Sequence, residues 1–141
     1  MPEATGFEIF AVTADKGIRA HGRNLPELFV HAARGLWSLM VEAGTARAER
    51  MLPVRLEAND REALLVAWLN ELLYLYEVER FVAAEFAITH LSDTRLEAEV
   101  WGEGVNPGRH SPIGHVKAAT YHMLRVQPAG AGWEAQVVVD V

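Results

Sequence analysis

Apolar residues recur along this chain with two different periods. Leu25, Leu28, Phe29, Ala32, Leu36 and Met40 follow the i, i+3, i+4 stripe of an amphipathic helix. Asn24 is placed to cap it, Pro26 is tolerated in its first turn, and Glu27 stands three residues beyond the cap, as in a capping box. Gly44 is a natural stop. A second helix, "REALLVAWLNELLYLYEVE", is capped by Asn59 or Asp60 and is apolar around most of its circumference, which marks it as the central buried helix. Elsewhere the alternation has the period of two that belongs to strands. Residues 7–12 and 18–21 predict two short strands joined by a turn at Asp15–Gly17. Leu52, Val54 and Leu56 alternate with Pro53, Arg55 and Glu57, while "FVAAEFAITHL" and "RLEAEVWGE" predict strands joined by an "SDTR" turn. After the Gly/Pro-rich loop "GVNPGRHSPIGH", "VKAATYHMLRVQ" and "WEAQVVVDV" predict a hairpin around "PAGAG". In its last strand Trp133, Ala135, Val137, Val139 and Val141 share one face, and Glu134, Gln136, Val138 and Asp140 the other.

Strands outnumber helices, and short turns join most neighbours. The pattern predicts an α+β fold, a largely antiparallel sheet packed with two main helices, as a single compact domain over residues 1–141. A chain of 141 residues buries about 70% of its unfolded surface, so it needs no metal or disulfide merely to fold. Cysteine is absent, which excludes disulfides, thiolate metal sites and a cysteine nucleophile, and suits a reducing cytoplasm. The opening "MPEATGFEIF" lacks a basic region followed by an apolar run, and no apolar stretch approaches the ~20 residues of a membrane span. A cytoplasmic protein without membrane contact is the expectation. With 13 basic against 19 acidic residues the net charge is −6, which argues against direct nucleic-acid binding, since that rests on neutralising phosphates.

Candidate chemistry lies near the two ends of the sequence. Asp15 and Asp140 both adjoin strand-like residues, and Val141 would add a terminal carboxylate if the ends meet. Such an oxygen cluster suits a hard divalent cation such as calcium or magnesium. Asp15 equally suits a simple turn and Asp140 a solvated strand end; composition and spacing alone favour that plainer reading. "RHSPIGHVKAATYH" gathers three of the six histidines with Lys117 and Tyr121, but no metal-ligand spacing appears, and His115 and His122 fall on opposite faces if the strand is continuous. Scattered surface histidines are the plainer expectation there. "GEGVNPG" lacks the Lys-Ser/Thr of a phosphate loop, and Ser38, Ser92 and Ser111 have no nucleophile-elbow context.

Taken together, "TADKGIRAHG", "LPELFVHAARGLWSLM", "LLVAWLNELLYLYEVE", "VWGE", "HVKAATYHML" and the closing Trp-x-Ala-x-Val-Val-Val-Asp-Val resemble the archease family nearly end to end. The resemblance implies a non-catalytic accessory protein that activates the GTP-dependent tRNA-splicing ligase by promoting guanylylation of the ligase's catalytic histidine and multiple turnover. It also implies a divalent-metal site, calcium by preference with magnesium or manganese as alternatives, formed by Asp15, Asp140 and Val141. Lys117 and His122 fall in the family's Val-Lys-Ala-x-Thr-Tyr-His motif as residues for activity or partner contact. Two places depart from the pattern. Ala11 and Val12 stand where the family carries an acidic residue and a histidine, and "SPIGH" at 111–115 replaces an acidic, lysine-rich lead. The other readings are a small metal-dependent hydrolase or transferase working through the same carboxylates with His122 or Lys117, and a chaperone-like module for RNA-modifying proteins.

Overall fold

The structure, a computed structural model, describes residues 6–42 and 44–141. In chain order it runs β1 (Phe7–Val12), β2 (Asp15–Gly22), α1 (Leu25–Ser38), β3 (Arg50–Glu57), α2 (Arg61–Glu77), β4 (Phe81–Leu91), β5 (Arg95–Gly104), β6 (Ala118–Ala119), β7 (Arg125–Ala129) and β8 (Gly132–Asp140). The expected α+β class with two helices is present. The strands divide between two antiparallel sheets. One has the order β1-β2-β8, with β6 and β7 pairing successive stretches of the far edge of β8; the other has the order β3-β5-β4.

Helix α1 begins where its cap signals place it. The Asn24 side chain accepts from the Glu27 N–H at 2.9 Å, and Glu27 Oε1 accepts from the Arg23 N–H at 2.8 Å, so two donors at the helix start are satisfied reciprocally. The helix stops at Ser38, well before Gly44. The residues just beyond it are claimed by another segment: Met40 O accepts from the Ile113 N–H, the Glu42 N–H donates to Ser111 O, and Val41 bridges Pro112. Tertiary hydrogen bonds thus override a local stop signal.

Helix α2 is capped by Asp60, whose carboxylate accepts from the Ala63 N–H at 2.8 Å. It buries Leu64, Leu65, Trp68, Leu69 and Leu72 fully, as its all-round apolar sequence requires. Trp68 fills the centre of the core, and its indole N–H donates to Phe29 O at 2.9 Å, so the largest buried side chain also ties α2 to α1.

Two sequence expectations shift. The first hairpin turns at Thr13–Ala14, not at Asp15–Gly17. Ala14 takes the left-handed φ of 65°, and Asp15 to Gly17 become the first residues of β2 because β1 pairs with all three and β8 pairs with Lys16 and Gly17 from the other side. Gly17 serves a different purpose: the Phe10 ring lies across it, where a Cβ would stand. The strand expected over "VKAATYHMLRVQ" breaks into β6 and β7, with a turn between them at whose end Met123 has φ 56°. The Gln136 side-chain amide donates to Met123 O at 3.1 Å and holds the break. His115 and His122 therefore do not share one continuous strand.

Gly102 marks the tightest approach in the second sheet. A Cβ there would fall inside the van der Waals envelope of Val82 O and against the Phe81 ring. Gly102→Ala is expected to lower unfolding free energy by about 1–3 kcal/mol, the usual range for overpacking, read from the urea midpoint at unchanged m.

Candidate metal and partner site

Register decides where the two aspartates meet. In the β2–β8 ladder Lys16 pairs with Val139 and Gly17 with Val138. One further step of the same register sets Asp15 across from Asp140, with both side chains on one face. That face is the outward one. Ile18, Ala20, Val137 and Val139 point the other way into the core, whereas Phe10, Arg19, Gln136 and Val138 share the outward side with the aspartates. Asp15 is half-buried and Asp140 exposed, as the alternation of the last strand implies. Neither carboxylate has a hydrogen-bond or ion-pair partner among the described residues.

The third strand of the site is β6. Ala118 pairs with Asp140, and the Lys117 N–H donates to Asp140 O at 2.8 Å, so Lys117 lies beside Val141 at the same end of the sheet. A strand of two residues needs support on its free edge, and α2 supplies it. Asn70 Oδ1 accepts from the Ala119 N–H at 2.8 Å, and Asn70 Nδ2 donates to Ala119 O at 3.3 Å. One side-chain amide thereby stands in for a neighbouring strand. The only sign of this in the sequence is a polar residue in the middle of "WLNELL". His122 sits in the turn after β6, its ring exposed and its N–H donating to Thr120 Oγ1 at 3.2 Å. The structure thus brings Asp15, Asp140, Val141 and Lys117 to one sheet end. No hydrogen bond or ion pair joins His122 to either aspartate among the described residues.

The loop between β5 and β6 holds a buried polar cluster that sequence reasoning missed. His110, expected among surface histidines, is 3% exposed and pairs with Glu103, itself 5% exposed. Glu103 Oε2 accepts from the Arg47 N–H at 2.8 Å and from His110 Nε2 at 2.9 Å, and Oε1 accepts from Arg109. His110 Nδ1 accepts from the Asn106 N–H at 2.8 Å, which leaves Nε2 as the protonated nitrogen facing Glu103. Burial pushes the Glu103 carboxyl up, but the bonds from His110 and the Arg47 N–H, with the Arg109 charge, outweigh it and hold it below the ordinary carboxylate range. The cluster pins the chain from β5 toward β6, and Ser111, Pro112 and Ile113 then fasten that chain to the end of α1. The departure at 111–115 lies in this backbone-anchored stretch. Val12, the other departure, is the cross-strand partner of Asp15.

Carboxylates from adjacent strands, without partners, are a donor set that fits a hard cation. They are only two acidic side chains; among the described residues no three His, Cys, Asp or Glu side chains gather into a metal-holding group. Also among the described residues, no helix is long and apolar enough to cross a membrane.

A small two-helix α+β protein whose first hairpin and last strand converge on paired aspartates has known counterparts. Residues 7–141 match the model of the archease protein family (MTH1598/TM1083). The chain is 35% identical over 136 residues to the protein archease of Sulfurisphaera tokodaii, covering 96% of this chain and 98% of that one. It is 36% identical over 140 residues to the protein archease of Thermococcus kodakarensis, with the same coverage. The solution structure of Methanobacterium thermoautotrophicum protein 1598 superposes with a TM-score of 0.81 at 31% identity, covering 97% of this chain and 99% of that one. The chain belongs to the archease family.

Two outcomes test this architecture. Asn70→Leu removes both partners of the Ala119 backbone and is expected to cost about 1–3 kcal/mol in chemical denaturation, the penalty of unpaired buried polar groups. The second concerns pH. A carboxyl held below its unfolded value near 4.5 contributes stability that is complete above that value and is lost as pH falls through the folded one. Wild type should therefore lose stability on acidification below about pH 4.5 more steeply than Glu103→Gln, in urea midpoints taken across that range.

Proposed function

We propose that this chain is a metal-dependent, non-catalytic activator of a GTP-dependent tRNA-splicing ligase, promoting guanylylation of the ligase's histidine and its multiple turnover. Membership of the archease family supports the role. The observation that supports the site is the β2–β8 register, whose next step puts Asp15 opposite Asp140, with both carboxylates lacking partners among the described residues. In this reading the two aspartates hold the cation with main-chain oxygen from Val141, the last residue of the sequence. A bound calcium, magnesium or manganese ion would supply positive charge for organising phosphate oxygens.

The protein's own groups do the rest. Lys117 fixes the Asp140 main chain through its N–H and carries an exposed side chain at the same sheet end, where its ammonium can meet a phosphate or an acidic group of the partner. His122, on the exposed turn after β6, is a contact residue at the border of the same surface. The net charge of −6 fits action through a protein partner more than through direct RNA binding.

The test is guanylylation of the tRNA-splicing ligase from the same organism, with trace amounts of this protein as wild type or Asp15→Asn, beside calcium titration calorimetry of both. The expected result is stimulation by wild type, with stimulation and calcium binding both lost in the variant, whose fold should survive an isosteric change at a site without partners. Stimulation that survives the loss of calcium binding would keep the partner and remove the metal from the mechanism. Absence of stimulation by folded wild type with manganese, magnesium and calcium would overturn the activator reading.

A further inference from the structure

The seam between α1 and β4 contains a cavity of about 400 Å³, within the range of small-molecule sites. Phe7 at the start of β1 borders it, and that residue stands the length of its strand, about 17 Å, from the turn beside Asp15. Trp37, Val41 and Phe86 give its wall bulk, and the small side chains of Ala83 and Ala84 leave the space open. Ala84 is the residue β4 omits from its ladder with β5: pairing passes from Ala83 with Gly102 directly to Glu85 with Trp101. Strand bulges of this kind redirect side chains and are frequent beside binding sites.

The Ser38 and Thr45 hydroxyls of the wall donate to Gly35 O and Glu42 O, but two larger polar groups of the lining have no partner among the described residues. Trp37 is 7% exposed, and its indole N–H has no acceptor among the described residues, an expensive state for a buried donor. Arg34 also lines the cavity; it is exposed, and its guanidinium has no hydrogen bond or ion pair among the described residues. Arg61, by contrast, is engaged with Asp93 and lies over the Trp133 ring. Apolar walls with one unengaged guanidinium define a ligand with an apolar body and one anionic end. Glu42, on the same lining, repels a bare anion, so the apolar body must supply the affinity.

We propose that this cavity binds a small amphipathic monoanion, an aliphatic or single-ring carboxylate, with its apolar body against Trp37 and Phe86 and its anionic group on Arg34. The assignment is independent of the carboxylate pair and of any ligase. The probe is decanoate, followed by the indole N–H resonances of the full-length protein in ¹⁵N spectra and by displacement of fluorescent 1-anilinonaphthalene-8-sulfonate. Saturable decanoate binding that moves the Trp37 indole resonance is expected, weakened about tenfold by Arg34→Gln and abolished by Ala84→Leu, which fills the hollow. Thermal melts check that each variant is folded. Arg34→Gln changes an exposed side chain without partners, so it decides the question even if Ala84→Leu fails to fold. Absence of saturable binding, an unmoved Trp37 resonance, or binding indifferent to Arg34→Gln would overturn the proposal.

Discussion

The antiparallel register of β2 against β8 is the constraint on which the rest of this molecule hangs. Ile18, Val137 and Val139 sit on the core side of this ladder, so a slip by one residue would turn them away from the core and draw polar and charged side chains such as Arg19 inward. Core burial therefore fixes the register, and the register fixes which outward residues face each other. Asp15 and Asp140 are neighbours because valines and isoleucines on the other side of the sheet will not tolerate any alternative. The face that carries the two aspartates needs no interaction of its own to be assembled; it inherits its geometry from apolar packing.

Polar bonds take over where apolar packing cannot reach. Strand β6 is too short to hold itself against β8 by two backbone pairs, and the loop leading to it has little apolar content to bury. Asn70 completes the edge of β6 from the side of α2, and the buried group of Glu103, His110 and Arg109 anchors the loop at its other end. In both devices the bonds join segments far apart in the chain, and pairing of this kind is the condition under which buried polar groups stabilise a fold. The outward face of the first sheet uses the same logic more openly. Arg19 lies 4.4 Å from the centre of the Phe10 ring while donating to Gln136, which in turn holds the turn after β6.

What the sequence revealed follows the same division. The start of α1, the whole of α2, β3 and the β4–β5 hairpin rest on periodicity and caps, and these are written in neighbouring residues. The meeting of Asp15 with Asp140 was suggested by their flanking strands and by family resemblance, and only the register makes it geometric. The end of α1 was misread because residues 111–113, far along the chain, compete for its last backbone groups. The break between β6 and β7 was invisible because the side chains that permit it belong to α2 and β8. His110 looked like one of several polar residues in a Gly/Pro-rich loop, since burial of a loop histidine depends on a carboxylate from another element. Long-range hydrogen bonds leave no periodic trace.

Strand β8 is central in its sheet yet last of the strands along the chain. The β1–β2 hairpin is therefore made early in synthesis but waits for a partner more than a hundred residues downstream, since Lys16 meets Val139. Until then the apolar side of β2 must be sheltered by α1 alone, and the exposed edge of β2 is open to wrong pairings. Closing such a long loop makes folding slow relative to a protein built from neighbouring contacts. It also means that the paired aspartates appear only at the final docking event. An incomplete chain can have both helices and the whole second sheet and still lack the facing aspartates, so their juxtaposition acts as a report that β8 has arrived in register.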